Sequence, residues 1–287
     1  MTPRRARDPR TAAQVREQYE VERELGNRLR EAPPHERPAL YRSVYDELFR
    51  RVPHHPMLTR ATSDQHQRLN WQLGLLSPFL DRQVTYLELG PGDCTLAFAV
   101  AKHVKMVYAV DVSETITGAA DAPQNFKLVL DGGSGLIVPA DTVDLVYSNQ
   151  LMEHLHPDDA ADQLRHVLRA LTPGGAYVCV TPNRLSGPHD ISGAFDTVAT
   201  GLHLREYTVT ELSALFLRAG FAKTRVYVGG NGRYWKWPTF PVMVFERVLQ
   251  LLPGRLRRAI AGTGIMRSLI GVRLVGFKGR ERRPARQ

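Results

Sequence analysis

The sequence predicts an α/β fold: a mostly parallel sheet of seven strands with helices on both faces, an N-terminal helical cap, and a helical insertion ahead of the last strand. Three observations predict it. Residues 84–89 form an apolar run that breaks at Gly90-Pro91-Gly92 and leads into a helix beginning near Thr95. Residues 107–110 form a second apolar run that ends in Asp111. Beyond it, short apolar runs alternate with amphipathic segments as far as residue 228, the pattern of strands joined by helices.

Residues 1–12 are basic and proline-bearing and are expected to form a disordered arm. Residues 13–80 are expected to build the cap. Its first helix, about 12–31, sets Val21, Leu25 and Leu29 on one stripe and stops at Pro33 and Pro34. The second, about 36–51, repeats Leu40, Tyr41, Val44, Tyr45, Leu48 and Phe49 at helical spacing. Residues 52–56 read as a loop in which His54 and His55 face solvent, and a third helix spans 63–76. Such a cap can roof a pocket, or it can be a plain flank or a dimer interface.

The central domain is expected over 81–233. After Asp111 come a short helix at 113–120 and a third strand at 126–130 that ends in Asp131-Gly132. A fourth strand covers 141–149. The helix at 158–171 has Leu164, Val167, Leu168 and Leu171 inward, and Thr172-Pro-Gly-Gly175 stops it. A fifth strand at 176–180 opens into a polar loop, 181–190, at the sheet edge where open α/β folds bind ligands. A helix with Thr210 and Glu211 in its first turn ends at Gly220, and the sixth strand follows at 221–228. Then come a glycine turn at 229–232, the insertion at 234–269, a last strand within 270–280, and a basic tail at 281–287.

Strand, glycine turn, helix, strand and acid make a nucleoside-binding βαβ unit. Gly90 and Gly92 let the backbone turn sharply and approach a ligand. Asp111, about twenty residues on, is placed to accept the ribose hydroxyls. A dinucleotide site wants a third glycine where this chain has Cys94, and Glu88 and Asp93 would repel a pyrophosphate. An ammonium-bearing nucleoside suits that turn better, and S-adenosylmethionine is such a ligand.

Leu87-Glu-Leu-Gly-Pro-Gly-Asp93 with Asp111 resembles the first two motifs of the class I S-adenosylmethionine-dependent methyltransferases, whose sheet is Rossmann-like. The resemblance covers roughly residues 84–230 and the strand near 277. Residues 141–149 with Glu153-His-Leu155 are similar to the fourth-strand region of small-molecule methyltransferases that modify ubiquinone and menaquinone. The resemblance implies S-adenosyl-L-methionine as cofactor, held by Glu88, Gly90, Gly92, Asp111, Val112, Asp131, Gly132 and Asn149. It departs from the family at the last two strands, where a tight hairpin is replaced by about forty residues.

Methyl transfer to a hydroxyl needs a base, and a histidine is the usual one. His154 is the first candidate and His189, beside Asp190, the second. His203, Arg205 and Tyr207 are candidates for the acceptor pocket. No metal is expected, because no His/Cys/Asp cluster shows ligand spacing along the chain. O-methylation of a small-molecule or lipid-linked acceptor is the expectation; N- or C-methylation, or a non-catalytic cofactor-binding scaffold at a membrane, is the alternative.

Composition narrows the partners. The net charge of +9 lies in residues 251–287, which carry ten basic residues and one acid. A nucleic-acid face spread over the domain is therefore not expected. The motifs of base methylation are also missing: the position after the fourth strand reads Ser148-Asn-Gln-Leu, with no proline pair to grip a flipped base. Cys94 and Cys179 suit a reducing cytoplasm, and neither a secretory leader nor a spanning segment is apparent. In 234–269, Trp235, Trp237 and Phe240 precede a short apolar helix, and Arg255, Arg257 and Arg258 follow. That pattern fits a helix lying in a membrane interface. It fits equally a helix packed on the cap or on a second subunit of a homodimer.

Overall fold

The strands are Thr85–Leu89 (β1), Met106–Asp111 (β2), Phe126–Leu130 (β3), Val143–Asn149 (β4), Leu171–Thr181 (β5), Lys223–Gly230 (β6), Arg233–Pro238 (β7) and Val272–Phe277 (β8). The structure is a computed structural model that describes residues 9–58, 62–112, 122–131 and 138–280. The helix expected at 113–120, candidate Gly132, arm residues 1–8 and tail 281–287 lie outside the described residues.

One sheet contains all eight strands, in the order β3-β2-β1-β4-β5-β8-β6-β7. From β3 to β5 the pairing is parallel, and β8 enters antiparallel between β5 and β6. The expected count of seven is corrected to eight. The extra strand, β7, comes from the first residues assigned to the insertion and pairs antiparallel with β6. Between them Asn231 and Gly232 take positive φ of 53° and 78°, the Asn-Gly turn that closes two-residue hairpins. β5 also starts earlier than expected, because Leu171 pairs with Val143 and the register then shifts before Ala176 meets Leu145.

The helices are Ala12–Glu31 (α1), Arg37–Arg51 (α2), Thr62–Leu76 (α3), Thr95–Ala101 (α4), Pro157–Ala170 (α5), Val209–Ala219 (α6), Thr239–Gln250 (α7), Gly254–Ala261 (α8) and Gly264–Ile270 (α9). Local chemistry sets their ends. Capping boxes of Thr11 with Gln14 and Thr208 with Glu211 start α1 and α6. Proline opens α5 at its first position. Gly220, at φ 108°, closes α6.

Burial divides into three apolar clusters. One face of the sheet carries Leu87, Val146, Tyr177 and Leu274 against α5, α6 and the inner face of α7. The other carries Tyr86, Val107, Tyr147 and Val178 against α3 and α4. The cap has its own core of Val21, Leu25, Leu29, Val44, Leu48 and Val52, which Leu202 joins from the central domain.

The cap is tied down along three lines. Arg30 of α1 donates to the carbonyls of Thr200, Gly201 and His203, and an added Cβ on Gly26 would lie 2.2 Å from the Gly201 oxygen. Tyr41 of α2 donates to Asp159 at 2.7 Å and accepts from the His156 amide at 2.7 Å. Gln65 of α3 donates to both Asp93 and Thr95, each at 2.8 Å. His54 and His55, expected in solvent, pack within the cap instead. His54 meets the Gln14 carbonyl at 3.0 Å, and buried His55 stacks edge-on to Phe49.

Candidate functional site

Parallel pairing brings the C-terminal ends of β1, β2, β3 and β4 to one edge, and with them the residues singled out from sequence. After β1, Gly90 and Gly92 adopt φ of 64° and 57°, the left-handed region open to residues without a Cβ. The Gly90 amide donates to the Val110 carbonyl at 2.9 Å and pins the turn to β2. An added Cβ on Gly92 would have no atom within 4 Å, so this side of the turn is open. Cys94 also takes a left-handed φ of 58°. Its side chain is fully buried in the core beside α4, and burial pushes its pKa up to about 12.

Asp111 accepts from the Val112 amide at 2.7 Å, and its own carbonyl accepts from the Asp131 amide at 2.9 Å. The Val112 carbonyl accepts from Arg42 of α2 at 3.0 Å. Asn149 ends β4 with a buried Oδ1 that accepts no hydrogen bond among the described residues. A buried amide oxygen in that state costs free energy until a donor reaches it. Below the turn, Glu88 is buried, and burial raises its pKa to about 8 against a lowering hydrogen bond from Tyr86. Asp93 accepts from Gln65 and from the Thr95 amide, so its carboxylate is fixed at the start of α4.

On the far side of Leu151, whose side chain lies against Gly90, a second cluster forms. Glu153 is fully buried. Thr181 donates to its Oε2 at 2.7 Å, while its Oε1 accepts nothing among the described residues. Burial raises its pKa to about 7, and the charge of His203 works against that. His154 Nδ1 meets the Leu202 carbonyl at 3.1 Å, so Nδ1 carries the hydrogen and Nε2 keeps its lone pair. Its ring stands edge-on to Tyr45 of the cap at 6.2 Å and to His203 at 4.8 Å.

Burial, aided by His203, drives the His154 pKa down to about 3. His154 therefore stays neutral and holds a proton far more weakly than the near-neutral base expected from sequence. Burial alone would lower His203 too, but a 2.8 Å contact with Glu206 and the charges of Glu153 and Asp190 turn its net shift upward.

The remaining candidates separate. His189 points Nε2 at the Asn183 carbonyl and Ser186 hydroxyl. Desolvation moves its pKa down, against the raising charge of Glu206. Asp190 is engaged elsewhere, accepting from the amides of Ser192 and Gly201. Arg205 is exposed, stacks over the Tyr207 ring at 5.2 Å, and lines a cavity of about 320 Å³ with Arg184, Arg257 and Arg258. Tyr207 is buried in the core, and its hydroxyl makes no hydrogen bond among the described residues. Of the three pocket candidates only His203 brings its side chain to the cluster; Arg205 meets it through its amide, which donates to the Glu153 carbonyl at 3.1 Å. Tyr45 and Gln65 were not singled out from sequence as site residues, and Glu153 entered only as part of the Glu153-His-Leu155 resemblance, with no role of its own. Glu153 stood beside the chosen His154, but no local pattern links either to residue 203.

Comparison with known proteins shows the family and the fold. A family model described as a methyltransferase domain matches residues 35–226. A probable S-adenosylmethionine-dependent methyltransferase of Mycolicibacterium smegmatis is 32% identical over 136 residues, covering 47% of this chain and 51% of the relative. A protein of the same description from Mycobacterium tuberculosis is 32% identical over 177 residues, covering 61% of each. The chain thus spans between half and two thirds of the length of these curated relatives. Among solved structures, the methyltransferase in a complex with the Haloferax volcanii Trm112 methyltransferase activator aligns with a TM-score of 0.53 at 15% identity. That alignment covers 76% of this chain and 92% of that one, and shows the shared fold.

Proposed function

The chain belongs to the methyltransferase-domain family, and on that premise we propose that it transfers a methyl group from S-adenosylmethionine to the oxygen of a small-molecule or lipid-linked acceptor. The observation that carries the reading is the edge where Glu88, Gly90, Gly92, Asp111, Asp131 and Asn149 meet under α2 and α3. The residues fit the cofactor. Asp111 suits the ribose hydroxyls, the unsatisfied Asn149 Oδ1 wants a donor, the open side of Gly92 admits close approach, and Glu88 suits the methionine ammonium. When bound, the cofactor supplies an electrophilic methyl group for in-line displacement.

The chain's own part is to align an acceptor oxygen with that methyl and to exclude water. On the acceptor side stand Leu151, which lies against Gly90, and His154, whose ring meets Tyr45 edge-on. His154 Nε2 accepts a hydrogen bond that orients the acceptor, and the acceptor's proton goes to the buried Glu153 carboxylate, whose pKa burial raises to about 7. In this reading His154 is a positioning residue and His189 has no part in the chemistry. Calorimetry with S-adenosylhomocysteine tests the first half: binding is expected, and Asp111→Ala should weaken it at least tenfold. Silence of the wild-type chain would sink the cofactor assignment. Incubation with labelled cofactor and host extract then identifies the molecule that takes the methyl.

A lipid-linked acceptor is favoured by one further observation. α7 buries Val242, Glu246 and Leu249 but exposes Phe240, Val244, Val248 and, just past its end, Leu251, which is 80% exposed. Between residues 233 and 280 the one acid is the buried Glu246, so every exposed charge that this segment carries is cationic. Such a face suits an anionic lipid surface. No helix among the described residues is long and apolar enough to cross a membrane. Flotation with phosphatidylserine vesicles should be lost in a Phe240→Glu, Leu251→Glu double variant. A salt-independent dimer that the same variant dissociates would assign the stripe to a second copy instead.

A further inference from the structure

Glu153, His154 and His203 come from two loops, and each can offer one ligand atom such that all lie within 4.8 Å of one another. Ligands on one ion, with bonds of about 2.0–2.2 Å, sit roughly 3–3.5 Å apart, so a small rotation of these side chains is enough. The far atom of every ligand is already held. Leu202 carbonyl takes His154 Nδ1 at 3.1 Å, Glu206 takes His203 Nδ1 at 2.8 Å, and Thr181 donates to Glu153 Oε2 at 2.7 Å. Outer contacts of this kind fix tautomer and ring orientation around bound metals. They leave His154 Nε2, His203 Nε2 and Glu153 Oε1 as the ligand atoms. Glu153 Oε1 is the buried oxygen without a hydrogen bond among the described residues, and a buried carboxylate oxygen in that state is costly unless a cation meets it.

We infer that Glu153, His154 and His203 bind one divalent first-row transition-metal ion. Two imidazoles and one carboxylate suit such an ion and leave further positions for water or an oxygen-bearing acceptor. With the ion in place, an acceptor hydroxyl would reach the cluster through the ion and not through His154 Nε2. Binding itself is independent of the proposed methyl transfer and is measured without cofactor or acceptor.

The test is calorimetric titration of the untagged, EDTA-treated and dialysed chain with zinc chloride and, separately, manganese chloride. Saturation at one ion per chain is expected for at least one metal. Glu153→Gln and His203→Gln should each weaken it tenfold or more, whereas the exposed-surface variant His103→Gln should not. Glu206→Gln keeps all three ligands but loosens one, and should weaken binding by a smaller factor; it decides the matter if a ligand variant fails to fold. Absence of saturable binding would overturn the inference, and so would binding undiminished in these three variants. S-adenosylhomocysteine titrated into the same samples keeps failure of the metal site distinct from failure of the cofactor reading.

Discussion

Glu88 is enclosed beneath the glycine turn, and its raised pKa has two opposite consequences. The folded chain holds a proton there up to about pH 8, whereas an ordinary glutamate releases it near 4.5. Its share of stability is therefore fully present below about 4.5 and declines as pH rises through about 8. Glu88→Gln should raise the melting temperature in mild alkali by more than in mild acid, on the order of 2–4 °C for each kcal/mol of relieved burial. The same variant should bind S-adenosylhomocysteine more weakly. Its binding should also lose the rise with pH that the wild type shows on approaching about 8, where the ligand's ammonium displaces the Glu88 proton. Calorimetry across pH checks both signs. Glu88 was legible as a site residue because it precedes the turn in sequence. His203 was legible as a pocket candidate, and its contact with Glu206 is local at i,i+3, but its meeting with Glu153 depends on tertiary packing that no spacing encodes.

At the scale of elements, Glu246 shows what the insertion does for the domain. Midway along α7, its carboxylate accepts from the amides of Val209 and Thr210, from the Thr210 hydroxyl, and from Asn183. It thus satisfies the first amides of α6, where a negative charge is also favoured by the helix dipole. Glu246→Ala would leave several buried donors without a partner and should cost about 3–5 kcal/mol, read by denaturant melts. Glu246→Gln, which keeps two acceptor lone pairs, should cost less. The inner stripe of α7 belongs to the core of the central domain, and its outer stripe is bare apolar surface. The edge strand β7 was missed because its aromatics, Trp235 and Trp237, read as a prelude to the helix, although Asn231-Gly232 carried the hairpin signal.

Across the whole molecule, glycines set how closely the cap and the central domain approach. Gly26 faces the Gly201 carbonyl. An added Cβ on Gly74 of α3 would lie 2.4 Å from the Gly232 oxygen at the β6–β7 turn. Gly26→Ala should push α1 off the loop at 190–205 and increase hydrogen exchange in that loop and in α1, leaving the β1–β4 amides protected. The sheet core was readable because each strand carries its own apolar pattern. The fit of the cap was not, because it depends on contacts between residues far apart in the chain, such as Tyr41 with Asp159, 118 positions away, and Arg42 with Val112, 70 positions away. Those contacts bear on the rhythm of turnover. On the proposed reading, Arg42 and Gln65 hold the Val112 carbonyl and Asp93 beside the cofactor edge, so departure of spent cofactor should be slowed until α2 or α3 lifts. The first methyl transferred by a loaded chain should then outrun all later ones, and rapid-quench kinetics should record a burst whose size counts the assembled sites.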